Sequence, residues 1–98
     1  LRLEEIMGGG QPPLLPEIIY IDGYGNAWTG IPVSSLPADA RILVQGVALP
    51  RARTFSDVEK GQAFWYENSA GLVEIAINQG SAAAQLRLQL GMRLTVGS

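Results

Sequence analysis

From residue 17 onward, short apolar runs alternate with turns rich in Gly, Asn, Asp and Ser. Residues 17–22 are strand-like, rich in Ile and closed by Asp22, and Gly23-Tyr24-Gly25-Asn26 turns the chain. Residues 27–33 supply the return strand, and residues 34–40 form a loop around Pro37. Residues 41–45 and 47–53 predict a second hairpin about Gly46, followed by a polar connection, residues 54–61, that holds Phe55. A third hairpin is predicted from residues 62–67 and 72–78, turning on Asn68-Ser69-Ala70-Gly71. Ser81 is placed to cap a short helix over residues 82–89, because its hydroxyl can accept from an unpaired amide. Gly91 ends that helix and residues 92–96 make a last strand. Six or seven short strands with one helix predict a mainly β fold, a small antiparallel barrel or sandwich.

The front of the chain breaks this pattern. Leu1 to Met7 has mixed charges, Gly8-Gly9-Gly10 stops any helix there, and Pro12, Pro13 and Pro16 enforce extended backbone. Residues 1–16 therefore read as a linker or the remnant of a preceding domain, and residues 17–98 as the β-domain.

Composition removes several classes of function. Ninety-eight residues suit one small core. The formal charge is −2, with one lysine and scattered arginines, which argues against a phosphate-binding stripe. There is neither cysteine nor histidine, so the usual zinc sites and the Ser-His and Cys-His catalytic pairs are excluded. No cofactor, metal, nucleic-acid or membrane partner is expected. A chain without cysteines fits a cytoplasmic location.

Two segments carry the chemistry: Ile21-Asp22-Gly23-Tyr24-Gly25-Asn26 and the stretch from Asn68 through Glu74 and Asn78-Gln79-Gly80-Ser81 to Ala83. Together they resemble the C-terminal domain of the S-adenosyl-L-methionine hydroxide adenosyltransferase family, which is related to fluorinase and chlorinase. Members typically read I-D-x-F-G-N in the first segment and N-S-x-G-L-x-E-I-A-x-N-Q-G-S-A in the second. The second match is long and therefore specific.

The resemblance implies substrate-binding roles for Asp22, Tyr24, Asn26, Phe55, Ser69 and Gln79. Read alone, Asp22 is a turn residue that takes turn amides. The family's aligned Asp helps hold the amino-acid end of the substrate, a role that suits a carboxylate facing an ammonium. Asn26 is by default also a turn residue, but its amide offers the donor and acceptor that match the adenine edge, where the family uses its Asn. Tyr24 stands where most members carry Phe and presents a flat apolar face. Phe55 is either a plug for its loop or, as the resemblance implies, the ring that stacks on adenine, worth on the order of 1–3 kcal/mol. Ser69 with its turn amides could face a carboxylate, and Ala70 replaces the Arg of the halogenating relatives, which favours the hydroxide-using branch. Gln79 and Gly80 align where family backbone meets the adenine edge. Trp28 is expected in the core. Trp65 and Tyr66 alternate inward and outward without a part in the site, and Glu74 and Asn78 read as structural or rim residues. Gly30 departs from the Asn that members commonly carry.

The resemblance further implies hydrolysis of S-adenosylmethionine to adenosine and methionine, as substrate and not cofactor. It implies a site between this domain and the N-terminal domain of a neighbouring subunit in a homotrimer. Catalysis there relies on an Asp, an Arg and a His of that other domain, so this chain alone is expected to be a binding half. Asp22, Asn26, Phe55 and Ser69 are expected to converge on one rim; Asn26 and Ser69 at opposite ends would leave that site without support. A structural or oligomerisation β-barrel with no ligand of its own is the alternative. A single-stranded nucleic-acid binder fits the aromatics but not the charge.

Overall fold

The computed structural model describes residues 14–53 and 57–97. Two antiparallel sheets face each other as a sandwich and do not close into a barrel. The larger sheet holds β1 (Leu15–Ile21), β2 (Ala27–Pro32), β5 (Ala63–Glu67) and β6 (Leu72–Ile77), in the order β1-β2-β6-β5. The smaller holds β3 (Arg41–Val44), β4 (Val47–Leu49) and β7 (Thr95–Gly97), in the order β4-β3-β7. A four-residue helix, α1 (Ala82–Gln85), follows β6.

The core lies between the sheets. One row of partners, Ile21, Ala27, Ile75 and Trp65, crosses the larger sheet on its inner face. Ile42, Val44 and Leu49 meet it from the smaller sheet, and Leu88 and Leu94 close the side. Trp65 is fully buried and its indole N–H donates to the Ala40 carbonyl at 3.0 Å, so its one polar atom is satisfied. Period-two alternation sends its neighbour Tyr66 to the outer face, as the strand pattern requires. Backbone bonds from Trp65 N–H to Pro50 and from Ala52 N–H to Trp65 join the chain after β4 to β5, linking the two sheets.

Two hairpins of the larger sheet share one turn design. In the first, Asp22 Oδ1 accepts from the amides of Tyr24 and Asn26, at 2.9 and 3.0 Å. In the second, Asn68 Oδ1 accepts from Ala70 and Leu72, at 2.9 and 3.0 Å. Gly25 and Gly71 hold the left-handed position of each loop, φ 84° and 78°, where a Cβ would be strained. The hairpins join through β2 and β6 with Trp28 opposite Glu74, so an approximate two-fold axis passes through the sheet between those residues.

Four boundaries differ from the sequence expectation by two residues or more. β1 starts at Leu15, because an edge strand tolerates Pro16 and because Gly30 lets Leu15 pack close; a Cβ at Gly30 would lie 2.5 Å from that of Leu15. The remainder of the expected linker, residues 1–13, lies outside the described residues. The hairpin at Gly46 turns on Gln45 and Gly46, both with positive φ, but its second strand ends at Leu49. The helix stops at Gln85 instead of reaching residue 89. Arg87 adopts φ 56° and the Leu88 amide bonds back to Ala83, which turns Leu88 into the core. The last strand begins at Thr95, since residues 91–92 instead bond to Ile18 of β1.

Candidate functional site

The turn after β1 and the turn after β6 lie side by side. The β2–β6 pairing places the start of β2 next to the end of β6, since Ala27 faces Ile75. α1 then fastens the two together: the Ala83 amide donates to the Gly25 carbonyl at 2.8 Å. Ser81 caps the helix as its sequence suggests, its hydroxyl accepting from Ala84 at 3.1 Å. Gly25 must be glycine for a second reason, because a Cβ there would sit 2.0 Å from the Ser81 hydroxyl.

Between these turns opens a cavity of about 630 Å³, lined by Tyr24, Asn26, Tyr66, Ile77, Asn78, Gln79 and Gly80. Tyr24 is largely exposed, so its ring stands as a wall over the opening. The turn uses the backbone of Asn26, which leaves its side-chain amide to the cavity. Gln79 sits at φ 57° in the tight turn closed by the Gly80-to-Ile77 bond. Asn78 is held structurally, its side-chain amide donating to Val58.

The outer face of the sheet runs into this cavity. Tyr20, Trp28, Glu74 and Tyr66 form one continuous row of cross-strand partners. Tyr20 meets Trp28 edge to face, centroids 5.6 Å apart. Glu74, only 4% exposed, accepts a hydrogen bond from the Tyr66 hydroxyl at 2.5 Å. Burial, the bond to Glu74 and the charges of Glu74 and Asp22 push the Tyr66 phenol well above the usual tyrosine range.

Of the six expected site residues, Tyr24, Asn26 and Gln79 line the cavity and Asp22 anchors its first turn. Phe55 lies outside the described residues. Ser69 stands at the other end of β6, whose six residues span about 20 Å, which corrects the expected convergence of Asn26 and Ser69 on one rim. The two-fold relation of the hairpins explains this, since their turns must point in opposite directions. The rim in which Asn26 and Ser69 were to meet is not formed, and a site requiring both at one point loses its support. Trp28 is a second correction. It lies on the outer face and not in the core, with its indole N–H buried and unpartnered. Tyr66 and Glu74, set aside from sequence, border or underlie the cavity; only the β5–β6 and β2–β6 pairings reveal it.

Among the described residues no three His, Cys, Asp or Glu side chains gather to hold a metal ion, and no helix is long and apolar enough to cross a membrane.

Residues 16–95 match the family model of the SAM hydroxide adenosyltransferase C-terminal domain. The chain belongs to this family. It is 40% identical over 76 residues to an (R)-S-adenosyl-L-methionine hydrolase of Thermus thermophilus, covering 78% of this chain and 29% of that protein. It is 37% identical over 86 residues to the enzyme of the same name from Salinispora arenicola, covering 83% of this chain and 32% of the relative. The chain thus spans about a third of the length of these relatives. A conserved hypothetical protein from Thermus thermophilus, known from its crystal structure, superposes with a TM-score of 0.75 at 35% identity, over 89% of this chain and 39% of that one. An uncharacterized conserved protein from Thermotoga maritima superposes with a TM-score of 0.72 at 28% identity, over 89% and 38%. The adenosyltransferase C-terminal fold explains why the two motif segments are conjoined: each forms one wall of the same cavity.

Proposed function

We propose that this domain is the nucleoside-binding half of an adenosine-forming S-adenosylmethionine hydrolase, completed by an N-terminal domain of the same family from a neighbouring subunit. The observation that carries this reading is the cavity that Asn26 and residues 78–80 line together, at the end of the sheet where β2 begins and β6 ends. An aromatic wall, a side-chain amide and a turn's backbone groups suit a purine, whose edge needs paired donor and acceptor and whose faces need apolar cover. Asp22 supplies negative charge beside that cavity for the amino-acid end of the substrate. Ser69 is left out of the nucleoside contacts.

The cavity is open on one side, which fits a half-site. Water placement and proton transfer would come from the partner domain, because this chain has no histidine and its cavity wall offers no charged side chain. The alternative, a domain that only assembles subunits, is favoured by the exposed outer-face residues Ile19 and Tyr20, 41% and 52% exposed. Calorimetric titration with adenosine and inosine separates them. The nucleoside reading expects adenosine to bind more tightly, with the preference lost in Asn26→Ala; saturation by neither nucleoside would leave the assembly role.

A further inference from the structure

We propose that a second cavity, beside β5, binds a small molecule through an oxyanion group, carboxylate or phosphate, with Arg51 and Arg53 as its donors. This cavity measures about 400 Å³ and is lined by Ala38, Arg51, Ala52, Arg53 and Asp57. It shares no lining residue with the nucleoside cavity, so the inference stands whether or not that reading holds. The chain has nine acidic residues against seven basic ones, and two arginines at one small cavity run against that balance. Ala52 between them is buried against Phe64 and Ala76, while the arginines on either side stay exposed.

Arg51 is held in place before any ligand arrives. The bonds that join Pro50 and Ala52 to Trp65 fix its backbone beside β5. Its guanidinium lies over the Trp65 ring, 5.2 Å from the centroid. That ring is itself fixed, being fully buried and tied through its N–H to Ala40. A guanidinium stacked on an aromatic face keeps its edge of N–H donors for an oxyanion, which it can grip through two bonds at once.

Neither arginine is neutralised within the fold. Arg51 meets Glu67 through a single nitrogen at 3.9 Å, and both side chains are partly open to water. Such a pair is loose and screened by solvent. Among the described residues Arg53 has no ion-pair partner. Asp57 accepts from the Arg53 amide at 3.2 Å and offsets one of the two positive charges in the wall. Two guanidinium groups against one carboxylate leave the wall net positive, which favours an anion and disfavours a cation. The volume falls in the range of small-molecule sites and exceeds that of a bare oxyanion, so the group belongs to a larger ligand.

The test titrates the isotope-labelled full chain with inorganic phosphate and, separately, with acetate, at an ionic strength held constant with sodium chloride. The Nε–H signals of the arginines are followed by NMR. Saturable shifts are expected at Arg51 and Arg53, and the anion that saturates at the lower concentration identifies the group. Affinity for that anion should fall about tenfold in Arg53→Gln and less in Arg53→Lys, which keeps the charge but loses the fork. Glu67→Gln, which releases Arg51 from its loose partner, should tighten binding by about twofold, an effect that a purely structural Arg51 would not produce. Arg51 also covers Trp65, so these variants at the exposed positions 53 and 67 carry the test, with thermal denaturation checking that each is folded. Arg87→Gln should leave the affinity unchanged. Shifts that never saturate with either anion, equal shifts at Arg41, Arg87 and Arg93, or an unchanged affinity in folded Arg53→Gln would overturn the inference.

Discussion

Asp22 and Asn68 occupy equivalent positions in two hairpins, and each uses Oδ1 to accept from the amides two and four residues further on. The same local chemistry thus builds two turns that end up at opposite ends of one sheet. One borders the cavity and the other does not. Sequence similarity between the turns therefore says nothing about shared function.

This equivalence separates stability from binding. Replacing Asp22 or Asn68 by Ala removes two side-chain-to-amide bonds in each case, so both variants should lose about 1–2 kcal/mol in denaturant unfolding. Only Asp22→Ala should also weaken binding of S-adenosyl-L-homocysteine. Equal effects of the two changes on binding would count against a cavity at the Asp22 end.

Gly23 and Gly25 should respond very differently to alanine. A Cβ at Gly23 meets nothing within 4 Å, so Gly23→Ala is expected to be near neutral. Gly25→Ala combines a φ of 84° with a clash against Ser81, and should cost more than about 1 kcal/mol. It should also break the Ala83-to-Gly25 bond, seen as faster amide exchange at Ala83. A stable Gly25→Ala variant with a protected Ala83 amide would show that the two turns are not clamped.

Tyr66 should leave a mark at alkaline pH. Its phenol lies above the usual 10.0 because of burial first and Glu74 second. The folded chain therefore holds this proton more tightly than the unfolded chain. The associated stability is complete below about pH 10 and is lost as pH rises through the elevated value. Absorbance titration should show a late phenolate step that disappears in Tyr66→Phe. Ionisation of every tyrosine at the ordinary value would contradict the buried hydroxyl–carboxylate bond.

The isolated chain should not release adenosine from S-adenosylmethionine above background, because water must be positioned by groups it lacks. Adenosine and methionine formed in proportion to pure protein, and abolished by Asp22→Ala, would show that this half is catalytic by itself.

Much of the fold was legible because turn chemistry is local. Asp22 with Gly25, Gln45 with Gly46, and Asn68 with Gly71 each announce a reversal through residues that tolerate or enforce it. The Ser81 cap was readable for the same reason. Features that depend on distant pairing were not. The face on which Trp28 lies is decided by β6, and the sequence separation hides Glu74 as its neighbour. The helix was expected too long because Leu86, Arg87 and Gln89 all suit a helix, whereas burial of Leu88 bends the chain at Arg87. Half of the site, the pair of turns, was visible as two motifs. The other half, Tyr66 on Glu74, exists only once the strands are in register.

The central claim is that the turn after β1 and the turn after β6 form one nucleoside site, and amide chemical-shift mapping during an adenosine titration tests it most directly. Saturable shifts are expected at Gly23, Tyr24, Gly25 and Asn26 together with Asn78, Gln79 and Gly80, and at the Asn26 side-chain amide. The amides of Ser69 and Ala70, a strand length away, should stay in place. Shifts confined to the Ser69 turn, or none that saturate, would contradict the account.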